Sequence, residues 1–540
     1  VDAKEIARRY RKLASERNNI ESTWELIERF FAPYRGEFFD ENTGEDSVDW
    51  KTRELYDSTA IKASNTLASS LHGSLTSPAY KWFSLRFRND NLNSDKEAKA
   101  WLEDTENRIF TALQQSNFNL EANECYLDLV HFGTSIIVEE IDDGEIVFKA
   151  IPVKEAYFEM DSRGGICNLY RRFRYTPIQI VEKFGKDNVP EDIVEKAEKP
   201  NDAERIEVIY AITKRDLGAK YEYDGPVAAE NRPYEAKYIL LQRAEDIGDP
   251  QGYYEMPAFV PRWRSTSESK FGNSPSMIAL PDVLTLNELY EMFIRALEKV
   301  VDPATLTTER GLLSDLDLSA GGLTVVRDVN DLVPFESRAR FDVTQMSIAD
   351  LRESIRSAFF VDQLELKNSP AMTATEVSVR YELMQRLLGP TLGRLENDFL
   401  SPLIERTFNI LFRDDKLMPL PEKLADSGEG WDIRYTGPLA RSQRVDQAAA
   451  VERWLGTVGA LAEIKPEALD IIDEDEIARD MADTLNVPAK YTKSKEQIEA
   501  VRRARAQQQA QMQAAQLAQE QGKAAQAVGK GEQAMGGGDA

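Results

Sequence analysis

Apolar positions in the first thirty residues fall three and four apart. Ile6, Tyr10 and Leu13 share one face, and Trp24, Ile27, Phe30 and Phe31 continue it, which predicts a helix. Asn42 to Asp49 reads as an acidic loop. From Asp57 to Leu75 the spacing of Ile61, Leu67, Leu71 and Leu75 predicts a small-residue helix. It should stop before Ser77-Pro78, because proline disfavours helix in the residue it follows. Trp82, Phe83, Leu85 and Phe87 predict a short strand or capping segment, and helices are expected over Asp95–Ser116 and Glu121–Phe132.

The period then changes. Ile136–Glu140 and Ile146–Ala150 are β-rich and joined through Asp143-Gly144, a hairpin signal. A second hairpin is expected between Ala156–Met160 and Leu169–Tyr175, across Arg163-Gly164-Gly165. Further strands are expected at Glu207–Thr213, Tyr238–Gln242 and Ala258–Arg264, so residues 1–265 read as one α+β region.

After Phe271-Gly272-Asn273-Ser274-Pro275 a helix is predicted over Pro281–Val301, with Leu286, Leu289, Phe293, Leu297 and Val300 at helical spacing. At 1.5 Å per residue it makes a rod of ~30 Å. Asp302-Pro303 ends it, since proline cannot continue a helix. Residues 303–343 form an insert with strand signals at Ala304–Thr308 and Leu323–Val326, and a second helix returns over Val343–Phe360 with Ile348, Leu351, Ile355 and Phe359 on one face. A loop, Asp362–Ala371, leads to Thr373-Ala374-Thr375-Glu376, a capping box in which Thr373 and Glu376 satisfy each other's amides. The helix behind it should reach Leu411 with a kink at Gly389-Pro390. A strand at Trp431–Tyr435, helices over Leu439–Asn486 and a Gln/Ala-rich end complete the chain.

Composition narrows the chemistry. With 540 residues and 42% hydrophobic side chains, several cores are within reach. The balance of 67 basic against 93 acidic residues, net −26, argues against a protein that grips nucleic acid over its whole surface. Two cysteines, Cys125 and Cys167, and two histidines, His72 and His131, are too few for a disulfide framework or a clustered zinc site. No apolar run approaches the ~18–20 residues of a membrane span, and the first residues lack a signal-peptide apolar core. The expectation is a reduced, intracellular, soluble assembly. No phosphate-cradling G-x-x-x-x-G-K-[ST] and no G-x-S-x-G elbow occur. Asp142-Asp143, Asp414-Asp415 and Asp473-Glu474-Asp475 read as turn or solvated-face acids rather than metal ligands, the histidines as hydrogen-bonded structural residues, and the cysteines as small buried hydrophobes. Nothing supports an enzyme, and no catalytic, metal or cofactor-binding residue is expected.

Several strings, in order, carry a resemblance: Leu75-Thr76-Ser77-Pro78 with Trp82-Phe83; Phe132-Gly133-Thr134; Phe271-Gly272-Asn273-Ser274-Pro275 with Ala279-Leu280-Pro281-Asp282 and Leu286-Asn287-Glu288; Met372-Thr373-Ala374-Thr375-Glu376-Val377 with Arg380; and Tyr435-Thr436-Gly437-Pro438-Leu439-Ala440-Arg441. Over about Arg8 to Asp446 the chain resembles the portal proteins (head-to-tail connectors) of short-tailed, podovirus-type bacteriophages. Phe132 stands where the family usually has tyrosine, a departure that keeps the ring.

The resemblance implies an α+β, mainly helical portal fold: a wing (1–280), stem helices (281–302 and 344–361), an α/β clip between them (303–343), a channel loop (362–372), a kinked wing helix and strand (373–438), a helical crown (439–495) and a C-terminal barrel helix and tail (496–540). It implies a dodecameric ring at one capsid vertex through which double-stranded DNA is packaged and ejected. Partners would be the terminase, a tail adaptor, and the major capsid and scaffolding proteins, with assembly in the host cytoplasm and no membrane. Lys367, Asn368 and Ser369 become candidate DNA contacts in the channel loop; a solvated lysine at a loop tip is the alternative. Arg310, Asp315, Asp317 and Arg327 become candidate docking charges on the clip, or simply keep it soluble. An acidic channel wall would repel phosphates and keep the duplex centred, within a screening length of ~8 Å. Competing readings are an ATP-driven packaging enzyme, which the missing phosphate loop opposes, and a tail or capsid protein without a channel.

Overall fold

The computed structural model describes residues 1–33, 55–93, 95–162, 164–199, 205–216, 225–265, 269–301, 305–307, 312, 314, 325–328, 330, 332–334, 341–364, 388–421, 430–435, 438–462, 465, 474, 477–478, 481–482, 497–498 and 500–512. The fold mixes helix and sheet and is mainly helical. Two compact units divide the chain: Val1–Trp82, Ile109–Leu411 and Gly437–Leu439 in the first, Phe83–Arg108, Phe412–Thr436 and Ala440–Ala540 in the second.

Helix α1 (Ala3–Phe31) buries Ile6, Tyr10, Leu13, Trp24, Ile27 and Phe31, the stripe its spacing predicts. In α2 (Thr59–Leu75) Leu67 and Leu71 are buried among Ala60, Ala63, Ser64 and Ala68, small residues that let a neighbouring helix approach. Strand β1 (Phe83–Phe87) and helices α3 (Lys96–Gln115) and α4 (Phe118–Phe132) follow. Strands β2 (Ile136–Asp142) and β3 (Glu145–Ile151) turn through Asp143 and Gly144, φ 48° and 83°, the two positive values that a tight hairpin requires.

Strands β4 (Ala156–Met160) and β5 (Ile166–Tyr175) form the second expected hairpin. Helices α5 (Pro177–Phe184), opened by a Thr176/Gln179 capping box, and α6 (Glu191–Ala197) were not anticipated. Strands β6 (Ile206–Lys214), β7 (Tyr234–Leu240) and β8 (Glu245–Tyr253) complete an antiparallel sheet of order β4-β5-β6-β7-β8. Here β7 starts four residues before the expected Tyr238, and Leu241 and Gln242 belong to the turn into β8. One sheet face packs Tyr157, Tyr170, Ile209 and Ile239 on Ile6, Tyr10 and Leu13 of α1. The other packs Val208, Leu240 and Ile247 on Ile180 and Ile193 of α5 and α6. Adjacent β6 residues thus point to opposite cores, as the pleat dictates. Strand β9 (Ala258–Phe259) joins β2 but is only two residues long; Pro261 has no N–H to extend the ladder, and Thr134 and Arg262 make an isolated bridge beyond it.

Helix α7 (Pro275–Val301) begins six residues before the predicted start. Ser274 caps it by accepting from the Met277 amide at 3.0 Å, Pro275 takes the first helical position, and Pro281 lies inside the helix. Strands β10 (Thr305–Thr307) and β11 (Leu332–Pro334) pair antiparallel, and Leu312 bridges Val326. Helix α8 (Phe341–Ala358) ends before Phe359, and a single turn, α9 (Val361–Leu364), occupies the start of the expected channel loop. Between them Phe360 has φ 57°, left-handed for a bulky residue. Residues 388–395 are helical, Glu396–Leu400 form a π-turn, and α10 (Ser401–Arg413) continues. Strand β12 (Trp431–Tyr435) and α11 (Pro438–Ala462) follow, and residues 500–512 are helical. Within the second unit β12 pairs antiparallel with β1, Phe87 opposite Trp431, and the Trp101 indole donates to the Met418 carbonyl at 3.0 Å.

Candidate functional site

The sequence singles out two long helices around a small insert, and the structure places them side by side. Ser354, late in α8, donates to Asp282, early in α7, at 2.7 Å, so the helices run in opposite directions. The 27 residues of α7 span about 40 Å. On α7 the buried stripe is Ala279, Leu280, Val283 and Leu286; it ends there, and every residue from Asn287 to Val301 is partly or fully exposed in the single chain. On α8 only Ile348 and Ile355 are buried among the side chains described. The outer faces carry apolar residues in water: Ile278 at 60%, Met292 at 56%, Val301 at 77% and Met346 at 69%. Glu288, Arg295, Asp350 and Glu353 are interleaved with them and exposed. Apolar side chains exposed on both helices make these faces suitable for burial against another surface.

At the root of α7 two strings about 140 residues apart, Phe132-Gly133-Thr134 and Phe271–Pro275, meet. Gly133 ends α4 at φ 72°, and a Cβ there would lie 2.2 Å from the Gly272 carbonyl oxygen. The Gly272 amide donates to Thr134 Oγ1 at 2.9 Å, and the Trp263 amide to the Gly133 carbonyl at 2.9 Å. Ser274 and Ser276 donate to the carbonyls of His131 and Val130 at 2.7 and 3.0 Å. These are the last carbonyls of α4, which have no partner within their own helix. The Trp24 indole donates to the Phe132 carbonyl at 3.2 Å and stands edge-on to Phe271 with centroids 5.0 Å apart. The long helix is therefore seated on a junction of α1, α4 and the Phe271–Ser274 turn.

Both histidines lie on the α2 and α4 helices. His131 shares a hydrogen bond with Ser64 Oγ at 3.0 Å, and His72 with Thr76 Oγ1 at 3.0 Å, beside Tyr126. Burial holds the His72 pKa below its usual 6.5. The neutral form is thus favoured in the folded chain, so the stabilisation is complete above pH 6.5 and is lost as the pH falls below it. A thermal melt is expected to fall more steeply between pH 7 and 5.5 for the natural chain than for His72→Gln; parallel pH profiles would rule out this contribution. Cys125 is buried against Ser135, whereas Cys167 is half-buried rather than fully so.

Among the described residues no group of three or more His, Cys, Asp or Glu is placed to hold a metal ion, and no helix is long and apolar enough to cross a membrane. A half-open cavity of about 280 Å³ lies between the β4–β5 turn and α10. Its arginines are engaged with acids, Arg262 with Asp398 at 3.3 Å and Arg406 with Glu255 at 3.2 Å, which is an architecture of ion pairs. Of the residues named from sequence, Arg327 is exposed in the insert. Lys367, Asn368, Ser369, Arg310, Asp315, Asp317, Thr373 and Glu376 lie outside the described residues.

A family profile described as "Bacteriophage head to tail connecting protein" matches residues 3–492. The chain is 31% identical to a protein named "Probable portal protein" of Bordetella phage BPP-1, over 96% of this chain and 94% of that one. It is 27% identical to one named "Portal protein" of Salmonella phage epsilon15, again over 96% and 94%.

Proposed function

The chain belongs to the bacteriophage head-to-tail connecting protein family, and on that premise we propose that twelve copies close into a portal ring at one vertex of the capsid. Double-stranded DNA passes through its bore during packaging and ejection. The observation that carries this reading is similarity over almost the whole length, to the family and to two phage proteins named as portals. The geometry supports it. A ring needs a heterologous surface, one patch meeting a different patch on the next copy, and closes only if the rotation closes. The exposed outer faces of α7 and α8 supply two such patches.

In this reading α7 and α8 are the stem, the β10–β11 insert is the clip, and residues 365–372 are the part of the channel loop that follows α9. Residues 1–274 and the segment around α10 belong to the wing, and α11 opens the crown. The clip, with Arg310, Asp315, Asp317 and Arg327, is the docking surface for the terminase and later the tail adaptor; the wing faces the capsid and scaffolding proteins. Twelve copies carry a formal charge of about −312, which disfavours phosphate binding along the bore and lets the duplex slide. The portal is a conduit, and ATP hydrolysis resides in the terminase.

Cryo-electron microscopy of the purified chain tests the assembly: twelve-fold rings with an open centre are expected, and trimers, fibres or a persistent monomer would overturn it. Basal ATPase activity in the purified chain would overturn the division of labour with the terminase. Deleting Leu366–Pro370 should leave ring yield unchanged and reduce retention of packaged DNA. Loss of rings in that variant would place the segment in a subunit contact instead.

A further inference from the structure

Two consecutive residues just before α2 bond one to each of the paired helices. The Tyr56 amide donates to Asn287 Oδ1 on α7 at 2.9 Å. Asp57 Oδ2 accepts from Nε and Nη2 of Arg352 on α8 at 2.9 and 2.6 Å. The other Asp57 oxygen accepts from the Thr59 amide at the start of α2, at 2.8 Å. The Arg352 guanidinium also lies 5.4 Å from the ring centre of Tyr290, back on α7. The Asp57 carboxylate thus joins α2 to α8, and α7 is tied to the same place through Asn287 and Tyr290.

Its position along the pair is what matters. Asn287 is the residue immediately after Leu286, the last buried position of α7. Beyond it α7 runs for fourteen more residues, about 21 Å, beside α8 but with none of its own side chains fully buried. A lever of that length moves its tip by about 2 Å for each 5° of rotation at its base. The buried stripe cannot set that angle to better than its own packing allows. The Arg352 guanidinium on a fixed oxygen can, because two N–H donors of one rigid plane converging on that oxygen constrain the plane's orientation as well as its distance.

We infer that Asp57 is a positioning residue, whose carboxylate, through Arg352, fixes the angle at which the distal halves of α7 and α8 leave the subunit. Its consequence for function rests on the portal reading: repeated around the ring, this angle sets the width of the bore at the clip end. Only 6% of the Asp57 side chain is exposed, against 42% of Arg352. Burial alone would raise the Asp57 carboxyl, but the hydrogen bonds from Thr59 and Arg352 outweigh it and leave the group below the ordinary carboxylate range. The acid therefore stays charged at neutral pH and depends on its arginine, since a buried carboxylate without a cation is costly.

Spin labels at Lys62→Cys on α2 and Glu298→Cys near the tip of α7 report this angle, with Cys125→Ala and Cys167→Ser clearing the background. Labelled chains diluted about one in twelve with unlabelled chain give the distance within one subunit. A narrow distribution is expected for the natural pair. Asp57→Asn should shift or broaden it by about 2 Å or more, as should Arg352→Gln, and the double variant should be no worse than either alone. Arg352→Lys keeps the charge but not the rigid plane and should fall between. A residue that merely adds stability would lower the melting temperature and leave the distance in the folded chain unchanged. That result, in Asp57→Asn or, if that variant does not fold, in Arg352→Lys, overturns the inference. The same distances measured on monomer decide the point even if the natural chain forms no ring, an outcome that would sink the portal reading alone.

Discussion

Gly133→Ala is expected to cost the subunit about 2–5 kcal/mol and to deplete soluble protein at 37 °C. Two penalties combine. A left-handed residue other than glycine costs about 1–2 kcal/mol. The added methyl would also sit 2.2 Å from the Gly272 carbonyl oxygen and 2.9 Å from the Ser274 amide nitrogen, both backbone atoms that no rotamer change can move. The seat of α7 would have to open, releasing the bonds from Ser274 and Ser276 to the end of α4. Overpacking of this kind adds about 1–3 kcal/mol or more. Against a whole stability of about 5–15 kcal/mol the loss is large. Gly144→Ala is the control: its φ of 83° is similar but the space around it is open, so only about 1 kcal/mol is expected. Comparable melting temperatures for the two variants would refute the close-contact argument.

The second large effect is on assembly. Met292→Glu combined with Met346→Glu should abolish ring closure while leaving the melting temperature of the monomer within a degree or two. Both methionines are more than half exposed in the single chain, so neither change disturbs a core. If they lie in the subunit contact, each ring repeats the defect twelve times, and each buried glutamate must be desolvated beside an apolar surface. Native mass spectrometry reads the outcome directly. Full yield of rings would move the interface away from these faces of α7 and α8.

Much of the architecture was legible because it is local. Helical spacing located α1, α2, α4, α7 and α8, and Asp143-Gly144 located a hairpin whose register then followed. What escaped depends on partners distant in sequence. Glu245–Tyr253 holds two glycines and a proline and shows no alternation; it is a strand because β7 lies beside it, with Tyr234 opposite Tyr253. The true start of α7 was hidden because Pro281 reads as a first-turn proline, when Pro275 and the Ser274 cap take that role. At the site, Phe132-Gly133-Thr134 and the Phe271–Pro275 string were both conspicuous, but their contact is tertiary and no spacing rule relates them. Asp57 carried no signal at all, since a single acid before a helix reads as an ordinary cap residue.

The pairing of β1 with β12 sets a schedule for synthesis. Arg88 and Asp432, bonded beside those strands, are 344 residues apart. At roughly 5–20 residues per second, the ribosome delivers the second strand about 20–70 s after the first. Through that interval Phe83, Leu85 and Phe87 wait without their mate, and the first unit is nearly all translated before the second can close. Nascent chains released early would leave Phe83, Leu85 and Phe87 without their partner strand, so closure of the second unit depends on completed synthesis.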